Sequence, residues 1–289
     1  MTPCAVVVLY HPDLEATHHL LHTLTSQNVF CIVVDNSPKS HQLNIDGDIN
    51  HYCFIGSGEN VGIAKAQNIG LSKAAELGYQ YAFIFDQDSQ IDTHFVRLMC
   101  RDWQRAESIK TNIAVMGPQI FCRYSQRMES PLVQRSIAKI TNNIFEVTQV
   151  IASGMLISLK YLDVIGLKDE SLFIDGVDHE WCWRARHKGY AVALTHNVVM
   201  RHFMGETRLN LGFIKIKIGA PIRLYYQTRN LFILIRRDYV PRYWKIRNLA
   251  YLPLKVLINV LLIKHRRQRL KFIVKGLWHA CLGETGKID

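Results

Sequence analysis

The chain has 289 residues, 48% of them hydrophobic, and a formal net charge of +11. That length and apolar content are ample for a packed core and allow one large domain or two small ones. A run of about eighteen apolar residues, which a membrane-spanning helix requires, does not occur. The N-terminus lacks a secretory-signal pattern, and seven scattered cysteines without a CxxC pair favour reduced thiols and a cytosolic compartment.

Charge is distributed unevenly along the chain. Residues 1–200 carry 16 Lys or Arg and 20 Asp or Glu, whereas residues 201–289 carry 19 and 4. In the basic part, cations alternate with aliphatic residues, as in 213–218 and 261–267, which predicts amphipathic helices on an anionic membrane surface. The alternatives are a solvated basic face and helices packed on the body or on a second copy of the chain. Nucleic acid is disfavoured as a partner because no nucleic-acid motif or stacking aromatic pattern occurs.

The first third of the chain alternates strands and helices. Continuous apolar runs predict buried strands, and the segments between them have helical spacing. The predicted strands are 5–10, 30–34, 51–55 and 81–85, and the predicted helices are 14–27, 60–77 and 94–106. This alternation predicts an open α/β sheet with right-handed crossovers, in which ligands lie outside the carboxyl ends of the strands.

The middle of the chain has a weaker pattern. We expect apolar segments at 113–116 and 148–159, the second interrupted by Ser153 and Gly154, and a polar loop over the site at 123–147. A short helix is predicted at 161–167 and a longer one within 173–188. The segments 191–194 and 198–202 are predicted as two closing strands.

Asp86, Gln87 and Asp88 directly follow the predicted strand 81–85. Two carboxylates at the end of a buried strand are costly unless a cation or a reaction uses them. Hard divalent cations such as Mg²⁺ or Mn²⁺ take oxygen ligands and usually keep water and substrate phosphates as further partners. The pattern therefore predicts a metal site at Asp86 and Asp88, with two exposed loop carboxylates as the alternative.

A second acidic cluster contains Asp178 and Glu180 at a predicted helix start. On a helix they point about 200° apart, so one of them faces a site directly. Either is a candidate general base for a hydroxyl group, and the alternative is capping of the helix N-terminus. Arg184, and likewise Arg186, is a candidate to hold a carboxylate or a phosphate.

Three further features point to a nucleotide. Asp35, with Asn36 and Ser37, follows a strand, where a carboxylate accepts the imide N–H of uracil or thymine; the alternative is an Asx turn. Gly62 has small neighbours at a helix start, so backbone there approaches a phosphate closely, or forms an ordinary tight loop. His202 follows a strand and is a candidate metal ligand, with a structural role as the alternative.

Together these segments resemble the inverting family-two glycosyltransferases of the GT-A fold, and among them the bacterial rhamnosyltransferases of O-antigen and surface-polysaccharide assembly. The resemblance covers about residues 3–240. The matching segments are 33–37, the repeat Asn60-x-Gly62-x-Ala64-x-Ala66-x-Asn68-x-Gly70, Asp86–Ser89, Phe173-Ile174-Asp175-x-x-Asp178-x-Glu180-Trp181-x-x-Arg184, and Tyr225-Tyr226-x-x-Arg229-Asn230.

The resemblance implies a GT-A domain at residues 1–210, with a mostly parallel sheet flanked by helices. The charge pattern predicts a basic, membrane-surface helical region at 211–289. The resemblance implies that Asp178 is the general base, although Val177 replaces the usual Glu, and that Glu180 is the reserve. His202 would close the metal site. The implied substrate-binding residues are Asp35, Asn60, Gly62, Ala64, Asn68, Asp86, Gln87, Arg184 and Arg229.

The implied activity is metal-dependent transfer of L-rhamnose from dTDP-L-rhamnose to a polyprenyl-diphosphate-linked oligosaccharide. Such an enzyme would be cytoplasmic and peripheral at the inner face of the membrane. The same chemistry with UDP-galactofuranose or a UDP-hexose is the nearest alternative. A protein that binds nucleotide sugar or nucleic acid without turnover is a further alternative, and the intact acidic residues argue against it.

Overall fold

The fold is organised around a mixed β-sheet of nine strands. The computed structural model describes residues 1–39, 51–122, 127–128, 138–202, 207–210 and 215–288, of which 122, 127, 202, 207–210 and 215–218 are described by their backbone alone. The strands of the sheet are β1 Cys4–Leu9, β2 Phe30–Asp35, β3 Tyr52–Gly56, β4 Tyr81–Asp86, β5 Ile113–Cys122, β6 Arg127–Met128, β7 Ile144–Glu146, β8 Met155–Ser158 and β9 Ala191–His202. A separate hairpin pairs β10 Thr207–Asn210 with β11 Lys215–Ile218.

Helices flank this sheet and form the C-terminal part of the described chain. They are α1 Leu14–Thr25, α2 Ile63–Glu76, α3 Phe95–Glu107, α4 Leu162–Ile165, α5 Val177–His187, α6 Pro221–Ile235, α7 Arg242–Leu261 and α8 Arg266–Leu282. Short 3₁₀ turns lie at Leu159–Tyr161 and Glu170–Leu172. None of the described helices combines the length and apolar character needed to cross a membrane.

The strand order is β3-β2-β1-β4-β8-β5-β9-β7, with β6 pairing with β5. Strands β3, β2, β1 and β4 are parallel, and β8 runs antiparallel between β4 and β5. Asp35 is in register with Leu9, and Asp86 is in register with Val8. The two predicted ligand-binding acids therefore flank the end of β1 at one edge of the sheet. The predicted α/β, mostly parallel architecture is confirmed.

Alternate residues of β1 face opposite sides of the sheet, as the strand geometry requires. Val7 packs in an apolar cluster with Leu21 of α1 and Trp103 of α3. Val6 packs in a second cluster with Leu71 of α2 and other residues of α2, α4 and α5. This two-sided burial explains why the strand is continuously apolar.

Several predicted elements require correction. The stretch 191–202 is one strand, not two, and the predicted loop 123–147 includes β6 and the edge strand β7; residues 123–126 and 129–137 lie outside the described part. Only Met155–Ser158 of the apolar stretch 148–159 is a strand. Lys215–Ile218 is a strand rather than part of an amphipathic helix, because Lys-Ile-Lys-Ile alternates with the two-residue period of a strand.

The C-terminal helices pack against the body around the second acidic cluster. Leu234 of α6 joins Val177 and Trp183 of α5 in one apolar cluster. Tyr226 of α6 stacks on Phe173, with ring centroids 5.0 Å apart. Helix α6 therefore rests on the segment that leads into α5, and α8 packs along α6, where the Tyr225 hydroxyl is 2.8 Å from His279 Nδ1.

Candidate active site

The DxD segment leaves β4 beside the end of β1. The Gln87 side chain accepts a hydrogen bond from the Tyr10 N–H at 2.6 Å and donates one to the Tyr10 carbonyl at 3.2 Å. The Ser89 N–H donates to the Asp86 carbonyl at 3.0 Å and closes a turn. Gln87 thus joins the ends of two parallel strands, and it fixes the loop that carries Asp86 and Asp88.

A short loop before β8 connects the two acidic clusters. The Ser153 hydroxyl donates to Asp86 Oδ2. The backbone N–H of the preceding residue, Ala152, donates to Asp178 Oδ2 at 3.0 Å. Gly154 then adopts a φ of +75°, a conformation that favours glycine, as the chain turns into β8. Two carboxylates distant in sequence are therefore held by adjacent residues of one loop.

Asp178 has a second, longer-range partner in Lys168. The Lys168 ammonium is 3.9 Å from Asp178 Oδ1 and is fully buried, whereas the Asp178 side chain is 27% exposed. Burial lowers the pKa of Lys168, and the Asp178 carboxylate opposes that shift. A carboxylate that is oriented by an N–H group and keeps part of its surface open has the geometry of a general base.

Glu180 lies in a different environment from Asp178. It is completely buried, accepts from Arg184 at 2.8 and 3.0 Å, and accepts from the Tyr239 hydroxyl at 2.6 Å. The Arg237 guanidinium is 3.2 Å away. Burial and the Glu180 contact raise the pKa of Tyr239 to about 12. The structure gives Glu180 an internal ion-pair role that the sequence prediction of a reserve base did not include.

Arg184 and Arg229, whose roles in substrate binding stay predictions, both contact protein oxygens. Arg184 donates to the Ile165 and Leu167 carbonyls in addition to Glu180. Arg229 is completely buried, and its donors go to protein oxygens. A buried guanidinium needs acceptors for its N–H groups, and these protein oxygens supply them.

Arg229 and Asn230 support a strained segment ahead of α5. Phe173 has a φ of 62° and Asp175 a φ of 67°, which are rare for residues other than glycine. The Asn230 amide nitrogen lies 2.7–2.9 Å from the carbonyl oxygens of Leu172, Ile174 and Asp175. These contacts over-determine the strained backbone, as strained functional segments require, and so position the first turn of α5, which carries Asp178.

The predicted nucleotide residues meet around Asn36. Asp35 is fully buried and accepts from the Ser37 N–H at 3.0 Å, which is an Asx-type contact. Asn36 donates to Asn60 at 3.2 Å and accepts from the Val61 N–H at 2.8 Å. The end of β2 and the loop before α2 thus form one polar corner beside the DxD segment.

In that corner, the backbone at Gly62 lies close to the ring of Phe173. Gly62 has a φ of +85°, and an added Cβ there would lie 2.5 Å from the Phe173 ring. The N–H of the buried Ala64 donates to the Phe173 carbonyl at 3.4 Å. Asn68 is buried and is hydrogen-bonded to the Lys168 backbone and to Glu170. Ala64 and Asn68 therefore tie α2 to the segment that carries Lys168 and Phe173.

The metal prediction rests on the two DxD carboxylates. Within the part of the chain that the structure describes, no three His, Cys, Asp or Glu side chains gather into a metal cluster. The side chain of His202 lies outside that part, so its role stays a prediction. Asp86 and Asp88 supply hard oxygen donors at one strand end, which suits a divalent cation that takes its other ligands from phosphate and water.

A curated relative places the chain among known enzymes. The dTDP-rhamnosyl transferase RfbF of Shigella flexneri is 31% identical over 282 residues, which cover 94% of this chain and 92% of that protein. The chain belongs to the same family of glycosyltransferases. No family model matches it.

Solved glycosyltransferases of the GT-A fold share the architecture. S. aureus TarS in complex with UDP-GlcNAc has a TM-score of 0.60 at 14% identity over 97% of this chain and 81% of that chain. GalNAc-T7 with UDP, GalNAc and Mn²⁺ has a TM-score of 0.58 at 11% identity, over 98% of this chain and 56% of the GalNAc-T7 chain. A longer TarS chain has a TM-score of 0.58 at 14% identity. The match covers 95% of this chain and 49% of the TarS chain. These matches support the GT-A fold of this glycosyltransferase.

Sequence reasoning missed two residues of the candidate site. Ser153 was noted only as an interruption of an apolar stretch, and that polar interruption next to a glycine was the available signal. Lys168 had no signal, because its position beside Asp178 depends on how α2 and α5 pack. Both residues contact predicted carboxylates directly.

Proposed function

We propose that this glycosyltransferase is an inverting enzyme that moves L-rhamnose from dTDP-L-rhamnose to a lipid-linked oligosaccharide in surface-polysaccharide synthesis. The observation that carries the proposal is the loop that binds Asp86 through Ser153 and Asp178 through Ala152. Adjacent residues of this short loop thus contact a DxD carboxylate and the partly open carboxylate of Asp178. A single displacement needs these two groups on either side of the anomeric carbon.

In the proposed mechanism, Asp178 takes the proton from the acceptor hydroxyl. The acceptor oxygen then attacks the anomeric carbon from the face opposite the nucleoside diphosphate, so the C–O bond to the leaving group breaks and the configuration inverts. The Ala152 N–H orients the carboxylate. Proximity of the two bound sugars contributes much of the rate.

Asp86 and Asp88 are the residues that would hold a divalent cation, Mg²⁺ or Mn²⁺. When bound, such a cation would neutralise charge on the departing nucleoside diphosphate. The chain's own contribution is to fix Asp86, through the Ser153 hydroxyl, before substrate arrives. His202 is proposed as a third ligand.

The base of the nucleotide is assigned to the corner formed by Asp35, Asn36 and Asn60. Asp35 ends β2 beside that corner, and Gly62 lets the loop that carries Asn60 pack closely against Phe173. Thymine is favoured as the base because the curated relative is named a dTDP-rhamnosyl transferase. A UDP-sugar donor is the second candidate, since the TarS structure contains UDP-GlcNAc.

Donor binding tests this assignment by calorimetry. The chain should bind dTDP-L-rhamnose in preference to UDP-hexoses with Mg²⁺ present, and EDTA should abolish most of that binding. Asp88→Ala should weaken the Mg²⁺-dependent binding, because one of two predicted metal ligands is lost. If the variant and the wild type bind dTDP-L-rhamnose with equal affinity in the presence of Mg²⁺, Asp88 is not a metal ligand. Preference for a UDP-sugar would keep the chemistry and discard the rhamnosyl assignment.

We also propose that the helices of the C-terminal region lie on the inner face of the cytoplasmic membrane. Ile246, Leu254 and Leu257 of α7 are 68%, 45% and 54% exposed, and Val274 and Trp278 of α8 are 54% and 62% exposed. Exposed cations lie nearby: Arg247, Lys264, Arg266 and Arg267. Apolar side chains flanked by cations suit an anionic bilayer surface.

Vesicle sedimentation tests this face. The full chain should sediment with vesicles that contain phosphatidylglycerol and remain in solution with pure phosphatidylcholine. Leu257→Glu should reduce sedimentation, because it places a carboxylate in the apolar stripe. Unchanged sedimentation of this variant would contradict the proposed face, and Ile109→Glu, on an exposed apolar residue of the body, is the matched control.

A further inference from the structure

A cavity of about 450 Å³ lies between the start of α5 and the C-terminal helices. Its wall includes Asp175 and His179 next to the proposed base, Gln227 on α6, Lys255 on α7, and Arg269 on α8. Apolar side chains of α6 and α7 complete the wall. This cavity is separate from the DxD segment and from the corner assigned to the nucleotide base.

The charges around the cavity do not balance. Arg223 pairs with Asp175 at 2.5 Å. Among the residues that the structure describes, no carboxylate forms an ion pair with Lys255 or Arg269: Lys255 donates to Gln227 Oε1 at 2.6 Å, and Arg269 donates to neutral oxygens. Two largely buried cations without an anionic partner favour an anion in the space between them.

The surroundings of Lys255 also favour an anion in the cavity. Burial lowers the pKa of its ammonium, and Arg223 lowers it further, while Asp175 acts in the opposite direction. Burial also lowers the pKa of His179, so its imidazole adds little positive charge to the cavity. An anionic ligand that accepts from Lys255 would stabilise the charged form of a lysine that is otherwise costly to bury.

Helix α7 separates the cavity from the proposed membrane face. Lys255 and Asn248 line the cavity, whereas Leu254 and Leu257 are exposed outside it. A helix with its side chains is about 10–12 Å thick. An interfacial helix buries its apolar face roughly 5–10 Å into the boundary between headgroups and acyl chains. The cavity therefore lies at the depth of lipid phosphates when α7 rests on the bilayer.

The cavity also shares the start of α5 with the proposed base, Asp178, which does not itself line the cavity. Asp175 and His179 bracket Asp178 within one turn of the chain at the start of α5. A group bound in the cavity therefore contacts the same turn of α5 that carries Asp178. Among phosphate-bearing ligands, a sugar linked to a lipid diphosphate satisfies the charge, the depth and the position together.

We propose that this cavity binds the diphosphate of the lipid-linked acceptor, with Lys255 and Arg269 donating hydrogen bonds to phosphate oxygens. Lysine and arginine are the usual donors to phosphate, and charge-assisted bonds of this kind are the strong ones. The inference deepens the proposed function and rests on it for the nature of the acceptor. It assigns the acceptor a site that is independent of the donor site.

Binding of farnesyl diphosphate to the full chain in detergent tests the proposal by calorimetry, with dTDP titrated in parallel. Lys255→Gln should weaken farnesyl diphosphate binding by roughly tenfold or more and leave dTDP binding unchanged. Lys255→Arg keeps the charge and should keep most of the affinity. Lys139→Gln, an exposed lysine of the body, is the matched control and should bind as the wild type does.

Four other results would each contradict a specific part of the proposed acceptor site. Farnesyl diphosphate binding that is insensitive to Lys255→Gln would place the lipid diphosphate elsewhere. Equal affinity for inorganic diphosphate and farnesyl diphosphate would show an anion site without a lipid role. Absence of farnesyl diphosphate binding, with selective dTDP-L-rhamnose binding intact, would reject the acceptor site and leave the donor assignment standing. Loss of dTDP binding in Lys255→Gln would contradict the independence of the two sites.

Discussion

Asp178→Asn is expected to lower the rate of sugar transfer by about 10²- to 10⁴-fold, with donor affinity unchanged. Asparagine has nearly the same shape, and its amide oxygen still accepts the hydrogen bond that Ala152 donates at 3.0 Å. It cannot take a proton from the acceptor hydroxyl. The turnover number should therefore fall, while calorimetric binding of the donor stays at the wild-type value.

The control for this variant is Asp163→Asn, on the exposed side of α4. It makes the same chemical change away from the acidic clusters and should transfer sugar at the wild-type rate. A rate for Asp178→Asn within about tenfold of the wild type would show that another group removes the proton. A parallel loss of donor affinity would instead assign Asp178 to donor binding.

Glu180→Gln is expected to lower the free energy of unfolding by about 3 kcal/mol or more, the cost of breaking a buried ion pair. Glu180 is completely buried and is the acceptor for Arg184, and it lies 3.2 Å from Arg237. A glutamine would keep the volume but remove the negative charge that both guanidinium groups face. Urea unfolding followed by circular dichroism measures the difference.

Glu76→Gln provides the comparison for this stability effect. Glu76 forms an exposed pair with Lys73 on α2, with 67% of its side chain accessible, and the loss should be under about 1 kcal/mol. If Glu180→Gln unfolds like the wild type but has lost transfer, the internal ion-pair account is wrong and Glu180 becomes the base. The two variants at positions 178 and 180 thus separate catalysis from stability.

The positions of the main acids were predictable from the sequence. Strands at 30–34 and 81–85 were visible as apolar runs, and parallel strands place their carboxyl ends at one edge. Asp35 and Asp86 consequently lie on either side of the end of β1. This part of the prediction depended only on local pattern and on a topological rule.

The protein contacts of Arg184 and Arg229 were not predictable in the same way. Both occur in motifs that contain functional acids, yet their guanidinium groups bind carbonyls supplied by other segments, such as Ile165 for Arg184 and Leu172 for Arg229. Whether an arginine faces substrate or protein depends on which carbonyls the tertiary fold leaves unpaired. The Ser153 contact with Asp86 likewise appears only when β8 is placed beside β4.

Transfer of rhamnose by this chain should depend on Asp178. The most direct measurement is incubation of the full chain with radiolabelled dTDP-L-rhamnose or radiolabelled UDP-hexoses, Mg²⁺ and membranes that contain lipid-linked oligosaccharides, followed by solvent extraction. Label should appear in the lipid fraction from dTDP-L-rhamnose, and none should appear with Asp178→Asn. Label from a UDP-hexose but not from dTDP-L-rhamnose, or equal labelling by the variant, would contradict this expectation.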